Sequence, residues 1–307
     1  MELTIHIGPH KTGTTAIQTA FARAAPALRK EGLLYPKTNW HHPAQHRLAF
    51  ALKNRAIPGA DKPDIDTETD ELLYALDRFR GDRVLLSSEE FFACPPEALS
   101  RLKDRLGVNT RVVTFLRRPD NFLISCYNQK IKQPGNGFHA PIRRFLKDPY
   151  SLTPEFDFPT HVTTWAEVFG KSAICLEVYE NGPPLARLRA LLGQGHMPPG
   201  PPARLNASVP GVVADLMRHA KVIGMSPAHQ RALLQRAGQL FADCPPFVVA
   251  DADRIAVIAA LEPELDALFK SFNKTNPYTR QTFQPVPAPR DHNANMQDLM
   301  RLVDTLL

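Results

Sequence analysis

The chain has 307 residues, 43% of them hydrophobic, which is enough apolar material for one sizeable core and too much for a disordered segment. A net charge of +6 suits an anionic ligand, while the lack of any dense Lys/Arg tract argues against a nucleic-acid groove. The four cysteines, Cys94, Cys126, Cys175 and Cys244, have no CxxC spacing, which argues against a zinc cluster and a disulfide framework.

Leu3 to Ile7 alternates and is β-rich, so a strand is expected almost at the first methionine. It lacks a basic flank and a cleavage site, so no signal peptide is expected and the location is expected to be cytoplasmic. No apolar run approaches the roughly 20 residues of a membrane helix. Gly8 to Thr15 supplies loop chemistry, and Ala16 to Leu28 has helical spacing with Ile17, Phe21 and Ala25 on one face. A polar stretch with Trp40, His41, His42 and His46 follows, then a Pro/Asp-rich segment, Pro58 to Thr69, expected to be an exposed loop.

Glu71 to Arg80 reads as a helix leading into a second strand, Arg83 to Ser87. Pro95 and Pro96 open a helix over Glu97 to Leu106, which Gly107 ends before a third strand, Arg111 to Leu116. A helix containing Trp165 and Phe169 precedes a fourth strand, Ile174 to Tyr179. Beyond about residue 185, with breaks at Pro183 to Pro184 and Pro198 to Pro202, the chain reads as mainly helical. It ends in an amphipathic stretch with Met296, Leu299, Met300, Val303 and Leu306. Strands alternating with helices predict an α/β fold: three P-loop-like layers, a central parallel sheet flanked by helices, in a single domain over 1–307. Ligands of such sheets bind at the carboxyl ends of the strands. Gly8 to Thr15, Ser87 to Glu90, and Arg117 with Arg118 all fall at such ends.

The segment Gly8-Pro-His-Lys11-Thr12-Gly13-Thr14-Thr15 lies between strand and helix, where backbone amides and a helix N-terminus can surround a phosphate. It is not a triphosphatase loop: GxxxxGK followed by Ser or Thr would place lysine at position 14, where Thr14 stands. The lysine is instead Lys11, inside the loop, where a cation reaches the group bridging a 5′-phosphate to its leaving partner, an arrangement that implies no metal requirement. The plainer alternative is a Thr-rich helix start whose hydroxyls only cap amides.

His10-Lys-Thr-Gly-Thr-Thr-Ala16 resembles the 5′-phosphosulfate-binding loop of the sulfotransferase superfamily, whose donor is 3′-phosphoadenosine-5′-phosphosulfate. A second motif agrees: Phe115-Leu-Arg117-Arg118-Pro119 is followed by Ser125, the spacing with which family members hold the donor's 3′-phosphate. An arginine fork at a strand end and a hydroxyl two helical turns on can converge on one phosphate. Trp165 to Glu180 is similar to the family's fourth core strand with its helix, and Arg204-Leu-Asn206-Ala-Ser208 resembles a segment of bacterial members. Ala16 replaces the adenine-stacking aromatic of the cytosolic small-molecule branch, and Leu86-Ser87-Ser88-Glu89-Glu90 replaces its catalytic histidine. Both differences look more like the carbohydrate sulfotransferases, which use a glutamate as base.

The resemblance implies sulfuryl transfer to an acceptor hydroxyl of a glycan or other polar alcohol. Glu89 is the expected base, with Glu90 the alternative, and Lys11 stabilises the departing 5′-phosphate. Lys11, Thr12, Gly13, Thr14, Thr15, Arg117 and Ser125 are the expected donor contacts. Two other classes stay open: a nucleotide phosphotransferase, which would need a lysine at the helix start and a magnesium carboxylate, and a non-catalytic nucleotide-binding protein. His42 and His46 have i, i+4 spacing but no third ligand, so they are expected to contact solvent or substrate rather than metal. Lys270, Lys274 and Arg280 are candidates for a basic loop over the 3′-phosphate, against the plainer expectation of a solvated surface.

Overall fold

The computed structural model describes residues 1–193 and 209–285. In chain order these form β1 (Glu2–His6), α1 (Thr14–Lys30), β2 (Leu33–Leu34), α2 (His46–Leu52), α3 (Ile65–Asp77), β3 (Arg83–Ser87), α4 (Pro96–Leu106) and β4 (Asn109–Leu116). There follow α5 (Pro119–Lys132), α6 (Ile142–Lys147), α7 (Phe158–Phe169), β5 (Ile174–Val178), α8 (Pro184–Leu191), α9 (Gly211–Val222), α10 (Pro227–Leu240) and α11 (Asp251–Ser271). The chain divides into two compact units. The first takes residues 1–118, 157–205 and 264–277, the second 119–156, 206–263 and 278–307.

The first unit holds the whole sheet, five parallel strands in the order β2-β3-β1-β4-β5. The expected α/β fold is therefore what the chain forms. The middle of β3 is apolar on both faces, as a parallel sheet covered on both sides requires: Val84, Leu85 and Leu86 are all fully buried. On one face Leu85, Val113 and Phe115 meet Ile17, Phe21 and Leu28 of α1 and Leu188 of α8. Elsewhere in the unit α7 packs on α4, β4 and β5, and its Trp165 is buried with Nε1 donating to the Phe91 carbonyl. From β1 the chain passes to β2 and β3 on one side, and from β3 it crosses to β4 and β5 on the other. The strand order thus reverses around β1, the place where such sheets open a ligand crevice.

The second unit is helical in its described part, with α9 packed on both α5 and α10. Phe122 and Phe156 meet within it, and Arg254 of α11 is buried against Asp120.

Most element boundaries fall within a few residues of expectation, and Gly107 does end α4, in the left-handed conformation. One segment departs. Pro58 to Thr69 contains the start of α3, because the Asp64 carboxylate accepts from the amides of Asp66 and Thr67 and caps the helix six residues before Glu71. The two-residue strand β2 was too short to carry a periodic signal. Among the described residues no helix is long and apolar enough to cross a membrane, and all four cysteines are free thiols. The segment Arg204 to Ser208, the breaks at Pro198 to Pro202 and the stretch from Met296 to Leu306 lie outside the described residues.

Candidate active site

The loop from Gly8 to Gly13 is held at the carboxyl ends of three strands. The Gly8 carbonyl accepts from the Thr114 hydroxyl at 2.6 Å and the Phe115 amide at 3.3 Å, tying the loop to β4. Gly8 has φ 87°, and a Cβ there would lie 2.8 Å from Glu89 Cα, so only glycine lets the turn after β3 come this close. Lys11 (φ 64°) and Gly13 (φ 83°) are both left-handed. Alternation of this kind turns successive amides toward one side and forms a concave anion nest. The amides of Ala16 and Ile17 return to the Gly13 carbonyl, while Thr14 and Thr15 open α1, where the helix dipole is positive. The Thr12 hydroxyl donates to the Pro9 carbonyl at 2.6 Å, so this buried side chain braces the loop and leaves its backbone to face a ligand. Thr15 is exposed, Thr14 buried and Lys11 half-buried.

Arg117, at the end of β4, donates from Nη1 to the Lys11 carbonyl at 3.0 Å, and its guanidinium lies 5.2 Å from the centre of the Tyr179 ring. Its Nε is buried without a hydrogen-bond partner. The neighbouring Arg118 amide donates to Glu180 at 3.0 Å. Loop and strand end are thus joined within the first unit. Ser125 is half-buried on α5, in the second unit.

The turn after β3 brings two carboxylates to the loop. Glu89 Oε2 accepts from Gln18 of α1 at 2.6 Å, with His46 Nε2 4.0 Å away and His10 Nδ1 3.6 Å from Oε1. Glu90 is paired with Lys53, and His10 Nε2 is 3.3 Å from its Oε1. Burial pushes the Glu89 carboxyl up, but His10, His46 and the Gln18 bond outweigh it and leave the group below the usual range. For Glu90 burial is again opposed, by the His10 bond and the Lys53 charge, and the result is about 2. Burial moves the His46 imidazole the other way, downward, against the pull of Glu89 and Glu90. Both carboxylates are therefore ionised at neutral pH. Among the described residues Glu90 is the one of the two paired with a lysine, a difference between the expected base, Glu89, and its alternative, Glu90.

His10, His46, Gln18 and Lys53 were not singled out as catalytic. His10 stood inside the loop motif and His46 in the histidine-rich stretch, so each carried a faint signal; Gln18 and Lys53 carried none. The i, i+4 spacing of His42 and His46 is not helical, because α2 begins at His46 and His42 sits in a turn at φ 56°. Among the described residues no group of three or more His, Cys, Asp or Glu is placed to hold a metal ion. Of the C-terminal cations, Lys270 is exposed, Lys274 donates to the Leu176 carbonyl at 2.6 Å, and Arg280 pairs with Glu262 in the second unit.

Fold and site together define an α/β protein whose first strand-to-helix loop carries Lys11 and lies beside the two carboxylates of the turn after β3. No protein-family model matches the chain, and no curated protein sequence does. Among solved structures it is similar to a sulfotransferase from Alicyclobacillus acidocaldarius, at 15% identity over 82% of this chain and 98% of the other, with a TM-score of 0.43. It is also similar to the sulfotransferase domain of the Synechococcus PCC 7002 olefin synthase, at 13% identity over 79% and 94%, TM-score 0.39. A mouse sulfotransferase complexed with PAP is similar at 12% identity over 83% and 87%, TM-score 0.36. Likeness at this level carries no activity across.

Proposed function

We propose that the chain is a sulfotransferase that moves a sulfuryl group from 3′-phosphoadenosine-5′-phosphosulfate to an acceptor hydroxyl, with a glycan or similar polar alcohol as the acceptor class. The observation that carries this reading is the loop itself: a left-handed Lys11 and Gly13 ahead of a helix N-terminus, with the backbone of Glu89 packed against Gly8. A triphosphatase loop would need its lysine at Thr14.

The donor supplies a sulfuryl group on a good leaving group, so little covalent chemistry is left to the protein. The amides of Thr12 to Thr15 bind the 5′-phosphate. Lys11 stabilises charge gathering on the bridging oxygen as the bond to sulfur breaks, the kind of preorganised electrostatic help that is often the largest contribution. Glu89, ionised and free of a lysine partner, removes the acceptor's proton, and general-base help of this kind is worth about 10²- to 10⁴-fold. Arg117 is assigned to the 3′-phosphate, which sets the donor apart from ATP, while Ser125 is assigned to it on the sequence motif alone.

A thermal-shift titration with 3′-phosphoadenosine-5′-phosphate, ATP and AMP, run without added metal and repeated with magnesium, tests the donor site. A ligand at 100 times its dissociation constant stabilises by about 2.7 kcal/mol. Stabilisation by the bisphosphate alone, lost in Arg117→Ala, is the expected result. Preference for ATP with magnesium would move the chain to the phosphotransferases, and no response to any nucleotide would end the proposal.

A further inference from the structure

One side chain of the loop is left without work in the reaction derived above. His10 immediately precedes Lys11, and its ring lies between the two carboxylates, with Nδ1 toward Glu89 Oε1 and Nε2 toward Glu90 Oε1. The remaining contacts fix which oxygen does what. Glu89 Oε2 is taken by Gln18 and faced by His46, so Oε1 is the oxygen that looks toward the loop. Lys53 neutralises Glu90, leaving that carboxylate as an anchor for the ring. With 35% of its side-chain surface exposed, His10 also reaches solvent, whereas Glu89 keeps only 13%.

We propose that His10 is a positioning residue that acts through Glu89 by receiving the proton Glu89 takes from the acceptor. This rests on the sulfotransferase reading. The acceptor O–H bond breaks as its oxygen bonds to sulfur. The sulfur–oxygen bond to the 5′-phosphate breaks in the same event, its electron pair staying on the oxygen beside Lys11. The proton goes to Glu89 Oε1 and then to Nδ1 of His10, whose Nε2–H remains turned to Glu90. The resulting imidazolium lies between two carboxylates and returns its proton to water, leaving Glu89 ionised for the next turnover.

Among the described residues the ring meets Glu89 and Glu90 from the turn after β3, with His46 of α2 facing Glu89 and Lys53, at the end of α2, paired with Glu90. Lys11 is its neighbour in the loop. A carboxylate holds an abstracted proton less tightly than an imidazole does, so the ring beside Glu89 Oε1 is a favourable onward acceptor. The relay needs His10 neutral at the start. Turnover therefore falls as the pH drops through the titration of this imidazole.

The test compares wild type with His10→Asn and His10→Ala. In His10→Asn the turnover number should fall at least about tenfold and lose its acid limb between pH 5 and 8, the range in which an imidazole titrates. Stabilisation by 3′-phosphoadenosine-5′-phosphate should be unchanged, and free imidazole should restore part of the rate to His10→Ala. A variant that keeps the wild-type rate and acid limb, or that loses bisphosphate binding instead, overturns the proposal. A second measurement does not depend on turnover. The His10 ring resonance, identified by its absence from His10→Asn, should titrate at a lower midpoint in Glu89→Gln than in wild type. An unchanged midpoint overturns the proposal even if the chain transfers sulfuryl groups. A moved midpoint in a chain that transfers none supports the His10–Glu89 coupling and overturns the sulfotransferase reading.

Discussion

Arg254 and Asp120 in the second unit are 2% and 1% exposed, while Glu89 and Glu90 in the first keep 13% and 20% of their side-chain surface. The buried pair is held by several fixed contacts. Arg254 donates to Asp120 from Nε at 2.8 Å and to Asn121 from Nη2 at 3.0 Å, and its guanidinium lies 5.2 Å from the centre of the Phe283 ring. The open cluster instead shares one imidazole between two carboxylates and leaves a Glu89 oxygen toward the loop. Charges enclosed by fixed partners hold helices in place. Charges that share partners at a strand end are free to exchange a proton.

The largest effect that can break this contrast is Glu89→Gln, expected to lower turnover by about 10²- to 10⁴-fold with bisphosphate binding retained. Glu90→Gln should cost less, since Glu90 is tied to Lys53 and contributes through His10. Equal losses in the two variants, read as turnover numbers at saturating donor, would erase the distinction between base and anchor.

Arg254→Met probes the other side. Removing one partner of a buried pair takes away the counter-charge of the Asp120 carboxylate, which costs about 3–5 kcal/mol. The double variant Asp120→Leu with Arg254→Met should recover most of that loss, because apolar replacement of both partners is often close to neutral. Urea unfolding measures both. A single variant within about 1 kcal/mol of wild type would show that the pair is not the enclosed unit its burial implies.

The same contrast explains what could be read from the sequence. The sheet was legible because Val84 to Leu86 and Val112, Val113, Phe115 and Leu116 are apolar where both faces are covered, and the loop because its glycines and lysine fall between a strand and a helix. The site beyond the loop was legible only where a motif crossed it. Glu89 is preferred over Glu90 in the sequence only on where the strand ends, since the residues that distinguish their surroundings, Gln18, His46 and Lys53, come from other elements tens of residues away in the chain. The start of α3 was missed for a different reason. Asp64 stands in a Pro/Asp-rich run that reads as loop, and only its bonds to the Asp66 and Thr67 amides reveal a cap.

His6 adds a third arrangement, a titratable group enclosed in its neutral form. On β1 it is fully buried, hydrogen-bonded to the Ser87 hydroxyl at 2.8 Å and set edge-on to Phe115, with Nε2 unpartnered. Burial lowers its pKa from 6.5 to about 4, against a smaller upward pull from Glu89. The folded value lies below the unfolded one, so the unfolded chain takes the proton first. Stability is complete above about pH 6.5, declines as the pH falls toward about 4, and is level for this group below that. The difference is on the order of 3 kcal/mol. Glu90 weakens the fold only at lower pH, between 4.5 and about 2, so the two windows barely overlap. His6→Gln should therefore flatten the loss of urea midpoint between pH 6.5 and 4 relative to wild type. Parallel curves would mean that His6 takes up its proton inside the fold, and the line between enclosed and proton-exchanging groups would then have to be drawn beyond β1.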